Sequence, residues 1–321
     1  MLLNDRILIV MKLSVCIPCY KSSQTISKVV SDIVEEMKSH KQKEYEIILV
    51  NDGSSDNTYE VIEGLAKKNS HIIAINLAKN FGQSAALLCA YSRVTGDVIV
   101  TMDDDGEHNP KDIFTLVNKL NEGYDYVCAD FYNYNRAAYK SLGSKFNYWF
   151  LAKMMDIPKD TLLSAYSVTR KYVIDEIIKY KNPRPYVDGF VWNITNKVTS
   201  VPVEHSVRIA GESGYNLKNS IALWANGVTS YSIKPLRIAT ISGFAFAFVG
   251  FISIIVVLIH RLLHPEDVEG WASLLTVVLF IGGLLMIFLG LIGEYVGRQY
   301  LISNSIPQYV VRDEYHKADK H

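Results

Sequence analysis

From Leu13 to Ala129 the chain alternates short β-branched runs with longer stretches in which apolar residues recur every three or four positions. This pattern predicts strands at 13–17, 45–50, 71–76, 97–102 and 124–129, and helices at 23–39, 57–69, 83–94 and 111–121. Parallel strands need crossover connections, and helices supply them by packing on the faces of a sheet. The expected fold class is therefore α/β, a doubly wound, mostly parallel sheet. Such sheets gather their ligands at the carboxyl edge of the strands, so the strand tips decide what the domain can do.

Three tips are polar. The run Val98 to Met102 breaks into Asp103, Asp104 and Asp105, followed by the turn Gly106-Glu107-His108-Asn109-Pro110. Carboxylates delivered to a sheet edge are hard oxygen ligands for a divalent cation, although an N-cap with a solvated acidic turn has the same spelling. The run Tyr45 to Val50 leads into Asn51-Asp52-Gly53-Ser54-Ser55-Asp56, and the first strand ends at Pro18-Cys19-Tyr20. A further cluster, Lys79-Asn80-Phe81-Gly82-Gln83-Ser84, opens the third helix, where backbone amides can hold a phosphate or ribose or serve only as a cap.

The 321 residues carry no net formal charge and are 49% hydrophobic, and nothing in them reads as a nucleic-acid surface. The apolar content is concentrated at 236–259 and 271–292, each long enough at 1.5 Å per residue to cross a hydrocarbon core of about 30 Å. Two transmembrane helices in an antiparallel hairpin are expected, with a pair of buried core helices as the competing reading. Lys218, Lys234, Arg237 and Arg298 flank the spans, whereas Glu266, Asp267 and Glu269 outnumber Arg261 in the connection. The positive-inside rule then puts the large domain in the cytoplasm, on a plasma (inner) membrane crossed twice.

The expected divisions are a peripheral extension at 1–10 with Met11 as an alternative start, a catalytic domain at 11–215, and a juxtamembrane amphipathic segment at 216–235. The membrane hairpin follows at 236–293 and a cytoplasmic tail at 294–321. The aromatic-rich segment Phe131 to Phe150 suits core or membrane-interface packing, or a sugar-binding wall. Cys16, Cys19, Cys89 and Cys128 fit a reducing compartment. Cys16 and Cys19 have redox-motif spacing but straddle a strand end, so Cys16 reads as packing and Cys19 as loop. Ahead of the first span, Arg208-Ile209-Ala210-Gly211-Glu212-Ser213-Gly214-Tyr215 joins a guanidinium, two glycines and hydroxyls, a combination that suits a phosphate and equally a juxtamembrane turn.

The order of these motifs, closed by two spans and Ile292-Gly293-Glu294-Tyr295-Val296-Gly297-Arg298, resembles the polyprenyl-phosphate glycosyltransferases of glycosyltransferase family 2 from Met11 to about Tyr309. That group includes relatives of dolichol-phosphate mannose synthase and of bactoprenol glucosyltransferases. The resemblance implies a GT-A fold, a nucleotide-sugar donor, expected to be UDP-linked, and inverting transfer of a hexose to membrane polyprenyl phosphate. It also implies Mg²⁺ or Mn²⁺ as cofactor and a homo-oligomer, tetramers being known in the family.

By position, Pro18, Tyr20 and Asp52 would surround the base and ribose, with Gly53, Asn80, Gly82, Gln83 and Asp104 completing the donor pocket. Asp103 would approach the ribose or sugar, and Asp105 would bind the metal at the diphosphate. Arg208, Ser213 and Tyr215 would meet the acceptor phosphate or the leaving diphosphate, and Asp188 is the alternative base or sugar-hydroxyl ligand. Two departures from the family pattern stand out: Asp104 is an extra carboxylate where relatives have Asp-Ala-Asp, and Ser164 stands where many relatives place an acid. A processive or other-acceptor transferase and a catalytically silent membrane scaffold are the competing functions. The processive Gln-x-x-Arg-Trp motif is absent from the sequence.

Overall fold

The computed structural model describes residues 11–131, 164–181, 190–203, 234–263 and 270–317. The first half alternates as its pattern demands: β1 Leu13–Cys19, α1 Ile26–Ser39, β2 Tyr45–Asn51, α2 Thr58–Lys68, β3 Ile72–Leu77, α3 Gln83–Tyr91 and β4 Val98–Thr101. A 3-10 turn at Pro110–Asp112, capped by the Asn109 side chain, leads into α4 Ile113–Leu120, and β5 Tyr126–Phe131 follows. Further along come β6 Ser167–Arg170, α5 Lys171–Ile177, α6 Val191–Ile194, β7 Val198–Val203, α7 Lys234–Leu263, α8 Trp271–Ser303 and β8 Val311–His316.

All eight strands form one sheet in the order β7-β5-β6-β4-β1-β2-β3-β8. The pairs β1/β2, β1/β4, β2/β3 and β5/β7 are parallel, while β6 and β8 run against their neighbours. Period-two alternation splits the buried side chains between two layers. Val15, Ile17, Ile47, Leu49, Val98 and Val100 face α1, α2 and α4. Cys16, Ile48, Val50, Ile75 and Ile99 face α3 and α5.

Helix α1 buries Ile26, Val29, Val30, Ile33 and Met37, a single stripe at helical spacing. Helix α3 is different, since Ala85 through Tyr91 are all buried. At about 1.5–3 kcal/mol for each fully buried large apolar side chain, these layers supply the main driving force for folding.

The strand β8 corrects the reading of 294–321 as a tail. Helix α8 continues to Ser303, and the chain then returns to the sheet and pairs antiparallel with β3, Ile73 opposite His316 and Asn76 opposite Asp313. Its charged side chains find partners there. Arg93 grips the Glu314 carboxylate with Nε at 3.2 Å and Nη2 at 3.1 Å, and Asn76 Nδ2 donates to Asp313 at 3.0 Å. Tyr309 donates to Ser92 Oγ and Gln308 to the Tyr180 carbonyl, so the approach to the strand is anchored as well.

Within the hairpin, α7 and α8 meet edge to face at Phe246 and Phe280. The hydroxyls of Thr240 and Ser242 donate back to carbonyls one turn earlier, which keeps them satisfied in an apolar helix. Among the described residues, Phe280–Ser303 is long and apolar enough to cross a membrane, and Leu236–Ile252 is a shorter apolar stretch. The connection 264–269, the segment 1–10, residues 216–233 of the juxtamembrane segment and the aromatic stretch beyond Phe131 lie outside the described residues.

All four cysteines are free and buried. Cys19 is the last residue of β1 and part of the core rather than loop, because the ladder with β2 runs on to the pair Cys19–Asn51. Burial pushes the thiols of Cys16 and Cys19 well above their usual range, which disfavours the reactive thiolate.

Candidate active site

The tips of β1, β2, β3 and β4 carry the acidic and glycine-rich turns, and side chains from each tip brace the backbone of another. Three successive amides after β1 are held in this way. Tyr20 N–H donates to Asp104 Oδ2 at 2.9 Å, Lys21 N–H to Ser54 Oγ at 3.0 Å and Ser22 N–H to Thr58 Oγ1 at 3.0 Å. Lys21 sits at φ 56°, a left-handed conformation costing of order 1–3 kcal/mol for a residue with a Cβ, and these bonds hold it there. Tyr20 itself remains half exposed, with the Lys21 ammonium 5.4 Å from its ring centre.

Asp52 is 3% exposed, and its two carboxylate oxygens accept the amides of Phe81 at 2.7 Å and Gly82 at 2.9 Å. Burial raises its pKa while those two amides pull it down. The carboxylate expected from sequence to lie by the base or ribose thus also shapes the Lys79–Gly82 loop. Gly53 makes that approach possible: at φ +60° a Cβ would lie 2.5 Å from the Asn80 amide nitrogen, against the backbone of the same loop. Gly82 has φ +95° and open space around it, so there the conformation and not crowding calls for glycine.

The three carboxylates after β4 point to different tasks. Asp103 Oδ1 accepts from Gln83 Nε2 at 2.8 Å, which joins the third and fourth tips. Asp104 turns inward to Tyr20. Burial, with Asp103 and Asp105 adding repulsion, pushes its carboxyl up to about 6 although the Tyr20 amide opposes the shift. Asp105 is partly exposed and its Oδ1 accepts the Glu107 amide at 2.9 Å, which closes the turn through Gly106 at φ 83°.

His108 was not among the residues singled out from sequence. It is 5% exposed, stacked on Tyr166 and Phe131, and its Nδ1 accepts the Asp103 amide. A histidine beside an acidic turn was the available signal, but its burial depends on β5 and on the residue before β6, far apart in sequence.

The structure therefore brings together Tyr20, Asp52, Gly53, Asn80, Gly82, Gln83, Asp103, Asp104 and Asp105 along the tips, with Pro18 inside the β1 ladder. Ser164 uses its hydroxyl to accept the Tyr166 amide at 3.3 Å. Asp188, Arg208, Ser213 and Tyr215 lie outside the described residues. Among the described residues no three His, Cys, Asp or Glu side chains converge on one point. A single partly exposed carboxylate such as Asp105 suits a divalent cation that completes its shell with phosphate oxygens and water, the usual habit of Mg²⁺.

Comparison with known proteins agrees with this geometry. The family described as Glycosyl transferase family 2 matches residues 14–177, and the one described as GtrB C-terminal hairpin matches residues 234–299. A glycosyltransferase of Bacillus subtilis strain 168, YkcC, described as uncharacterized, is 31% identical over 305 residues, 94% of each chain. Among solved structures, glucosyl-3-phosphoglycerate synthase from Mycobacterium tuberculosis aligns at a TM-score of 0.50 with 16% identity, over 69% of this chain and 78% of that one, in its complex with Mn²⁺, UDP-glucose and phosphoglyceric acid. Its UDP complex aligns at 0.50 over 69% and 79%. At this identity the likeness speaks for the fold, which is GT-A. The chain belongs to glycosyltransferase family 2 and, by its GtrB-type hairpin, to the polyprenyl-phosphate group of that family.

Proposed function

We propose that this glycosyltransferase moves a hexose from a nucleotide-sugar to a polyprenyl phosphate such as undecaprenyl phosphate, with inversion, at the cytoplasmic face of the plasma membrane. The observation that carries the reading is the pairing, in one chain, of acidic GT-A strand tips with a GtrB-type apolar hairpin. Both hairpin helices are taken to span the membrane, and the small-residue positions along them suit association into a homo-oligomer.

Tyr20 and the loop shaped by Asp52 and Gly53 would hold the nucleoside, with Asn80, Gly82 and Gln83 bordering the phosphates. Asp105, with Asp103 beside it, would hold Mg²⁺ or Mn²⁺, and that cation would supply charge neutralisation for the departing diphosphate. Asp103, held by Gln83 through its side chain and by His108 through its amide, would orient the sugar. Arg208, Ser213 and Tyr215 would clamp the acceptor phosphate.

An oxygen of the lipid phosphate would attack the anomeric carbon opposite the nucleotide, forming the new C–O bond as the bond to the diphosphate breaks. A phosphate monoester with a second pKa near 6 is already largely dianionic at neutral pH, so the attack needs no proton acceptor. Ser164 in place of an acid is compatible with that chemistry, and Asp188 would serve as a sugar-hydroxyl ligand. Positioning and electrostatic stabilisation would then carry the rate.

The test is to incubate membranes containing the protein with labelled nucleotide-sugars, undecaprenyl phosphate and Mg²⁺ or Mn²⁺. UDP-sugars come first, since the mycobacterial neighbour was solved with UDP-glucose. A lipid-soluble product one hexose heavier is expected. No lipid label with any donor, or label on a growing polysaccharide, would reject the proposal.

A further inference from the structure

One row of polar side chains crosses the sheet from the strand after the hairpin to the donor-side turn. Asn51 and Asn76 are register partners in β2 and β3, and Asn76 and Asp313 are register partners in β3 and β8. Their side chains join in the same order. Asn76 Nδ2 donates to Asp313 Oδ2 at 3.0 Å, and Asn51 Nδ2 donates to Asn76 Oδ1 at 2.9 Å. Ser54 Oγ then donates to Asn51 Oδ1 at 2.5 Å and itself accepts the amide of Lys21 at 3.0 Å.

The direction of this chain is set at one end. A carboxylate can only accept, so Asp313 draws the NH₂ end of Asn76 towards β8 and leaves its carbonyl for Asn51. Asn51 must then present its own carbonyl to Ser54, which commits the hydroxyl proton to Asn51 and the oxygen lone pair to Lys21. The last acceptor meets the one residue of the β1 turn that sits at a positive φ, next to Tyr20.

We propose that Asp313 is a positioning residue for the donor pocket, setting the Tyr20–Lys21 turn through Asn76, Asn51 and Ser54. The strand that follows the membrane hairpin would thereby tune nucleotide binding without touching the nucleotide. This inference rests on the reading of the strand tips as the donor site. Glu314 is the adjacent comparison: it anchors the same strand through Arg93 but takes no part in the row.

The experiment uses the full-length protein in detergent, with Mn²⁺ and UDP or GDP, whichever binds more tightly. Nucleotide affinity by calorimetry and melting temperature are measured for Asp313→Ala, Asp313→Asn and Glu314→Ala. Loss of one hydrogen bond in an ordered network predicts a nucleotide Kd about three- to ten-fold weaker in Asp313→Ala. Asp313→Asn, which keeps an acceptor, should recover most of that loss. Glu314→Ala should lower the melting temperature at least as much as Asp313→Ala while leaving the Kd within two-fold. Equal Kd values for Asp313→Ala and the unsubstituted protein would overturn the inference alone, as would equal weakening by Glu314→Ala. Failure of the unsubstituted protein to bind either nucleotide would overturn the donor-site reading together with it.

Discussion

His108 accepts the backbone amide of Asp103 through Nδ1 at 2.9 Å while its Nε2 lies 3.8 Å from the carboxylate of the same residue. The ring proton therefore sits on Nε2 and faces Asp103. Stacking on Tyr166 and Phe131 fixes the ring plane, and Tyr166 is itself tied through its hydroxyl to the Asn109 carbonyl at 2.8 Å. His108→Phe keeps the stack but orphans the Asp103 amide, a change worth about 1–3 kcal/mol. Transfer should slow by about ten-fold or more, whereas His108→Asn, with an oxygen near the Nδ1 position, should recover much of the rate. Steady-state kcat for the two variants, read beside their melting temperatures, checks this.

Asp105 is the residue on which the metal assignment turns. Asp105→Ala should reduce transfer by at least about two orders of magnitude, the scale of losing a principal electrostatic stabiliser. The protein should still fractionate with membranes. Near-normal turnover of labelled donor by this variant would refute the assignment.

Gly53→Ala combines a positive φ with a Cβ pressed against the Lys79–Asn80 backbone. The β2 and β3 tips must separate to admit it, and Asp52 then loses its hold on Phe81 and Gly82. A destabilisation of about 2 kcal/mol is expected together with weaker nucleotide binding. Thermal denaturation and a nucleotide titration report the two effects separately. Gly64→Ala, with nothing within 4 Å of the added methyl, serves as the comparison.

Far from the tips, Glu46 gives the fold a defined acid sensitivity. Burial raises its pKa, but donors from Ser14, Thr95 and Lys12 outweigh that effect and leave it below 4.5. Ser14 Oγ and Thr95 N–H lie 2.6 Å from Oε1, and Thr95 Oγ1 is 2.7 Å from Oε2. A carboxylate whose folded pKa is depressed stabilises the fold above its unfolded pKa, and that contribution fades as the pH drops through the folded value. Glu46→Gln should cost about 1–3 kcal/mol at pH 7, with the gap to the parent narrowing below about pH 4. Denaturant titrations at pH 7 and pH 3 measure it.

The parallel core was legible because Val15, Ile47, Ile75 and Val98 lie in short β-branched runs bounded by turns, a pattern with few alternatives. The strands β6, β7 and β8 were not. Ser167–Arg170 is four residues long, Val198–Val203 carries Pro202, and Val311–His316 reads as a solvated charge run until Arg93 and Asn76 are seen opposite it. Site composition was similarly clearer than site wiring. Asp52, Gly53 and the three aspartates stood out by type and position, but whether a carboxylate faces a ligand or a backbone amide depends on tips more than twenty residues apart. Asp52 and Asp104 turned inward for that reason.

Because β8 closes the outer edge of the sheet beside β3, the hairpin is topologically an insertion within the catalytic unit and not an appendage to it. Trimming the protein ahead of α7 to obtain a water-soluble enzyme would strip away this last strand. It would bare the β3 backbone to unwanted partners and leave Arg93 without its carboxylate. Solubilised versions should therefore replace the two apolar helices with a flexible bridge and retain residues 304–317.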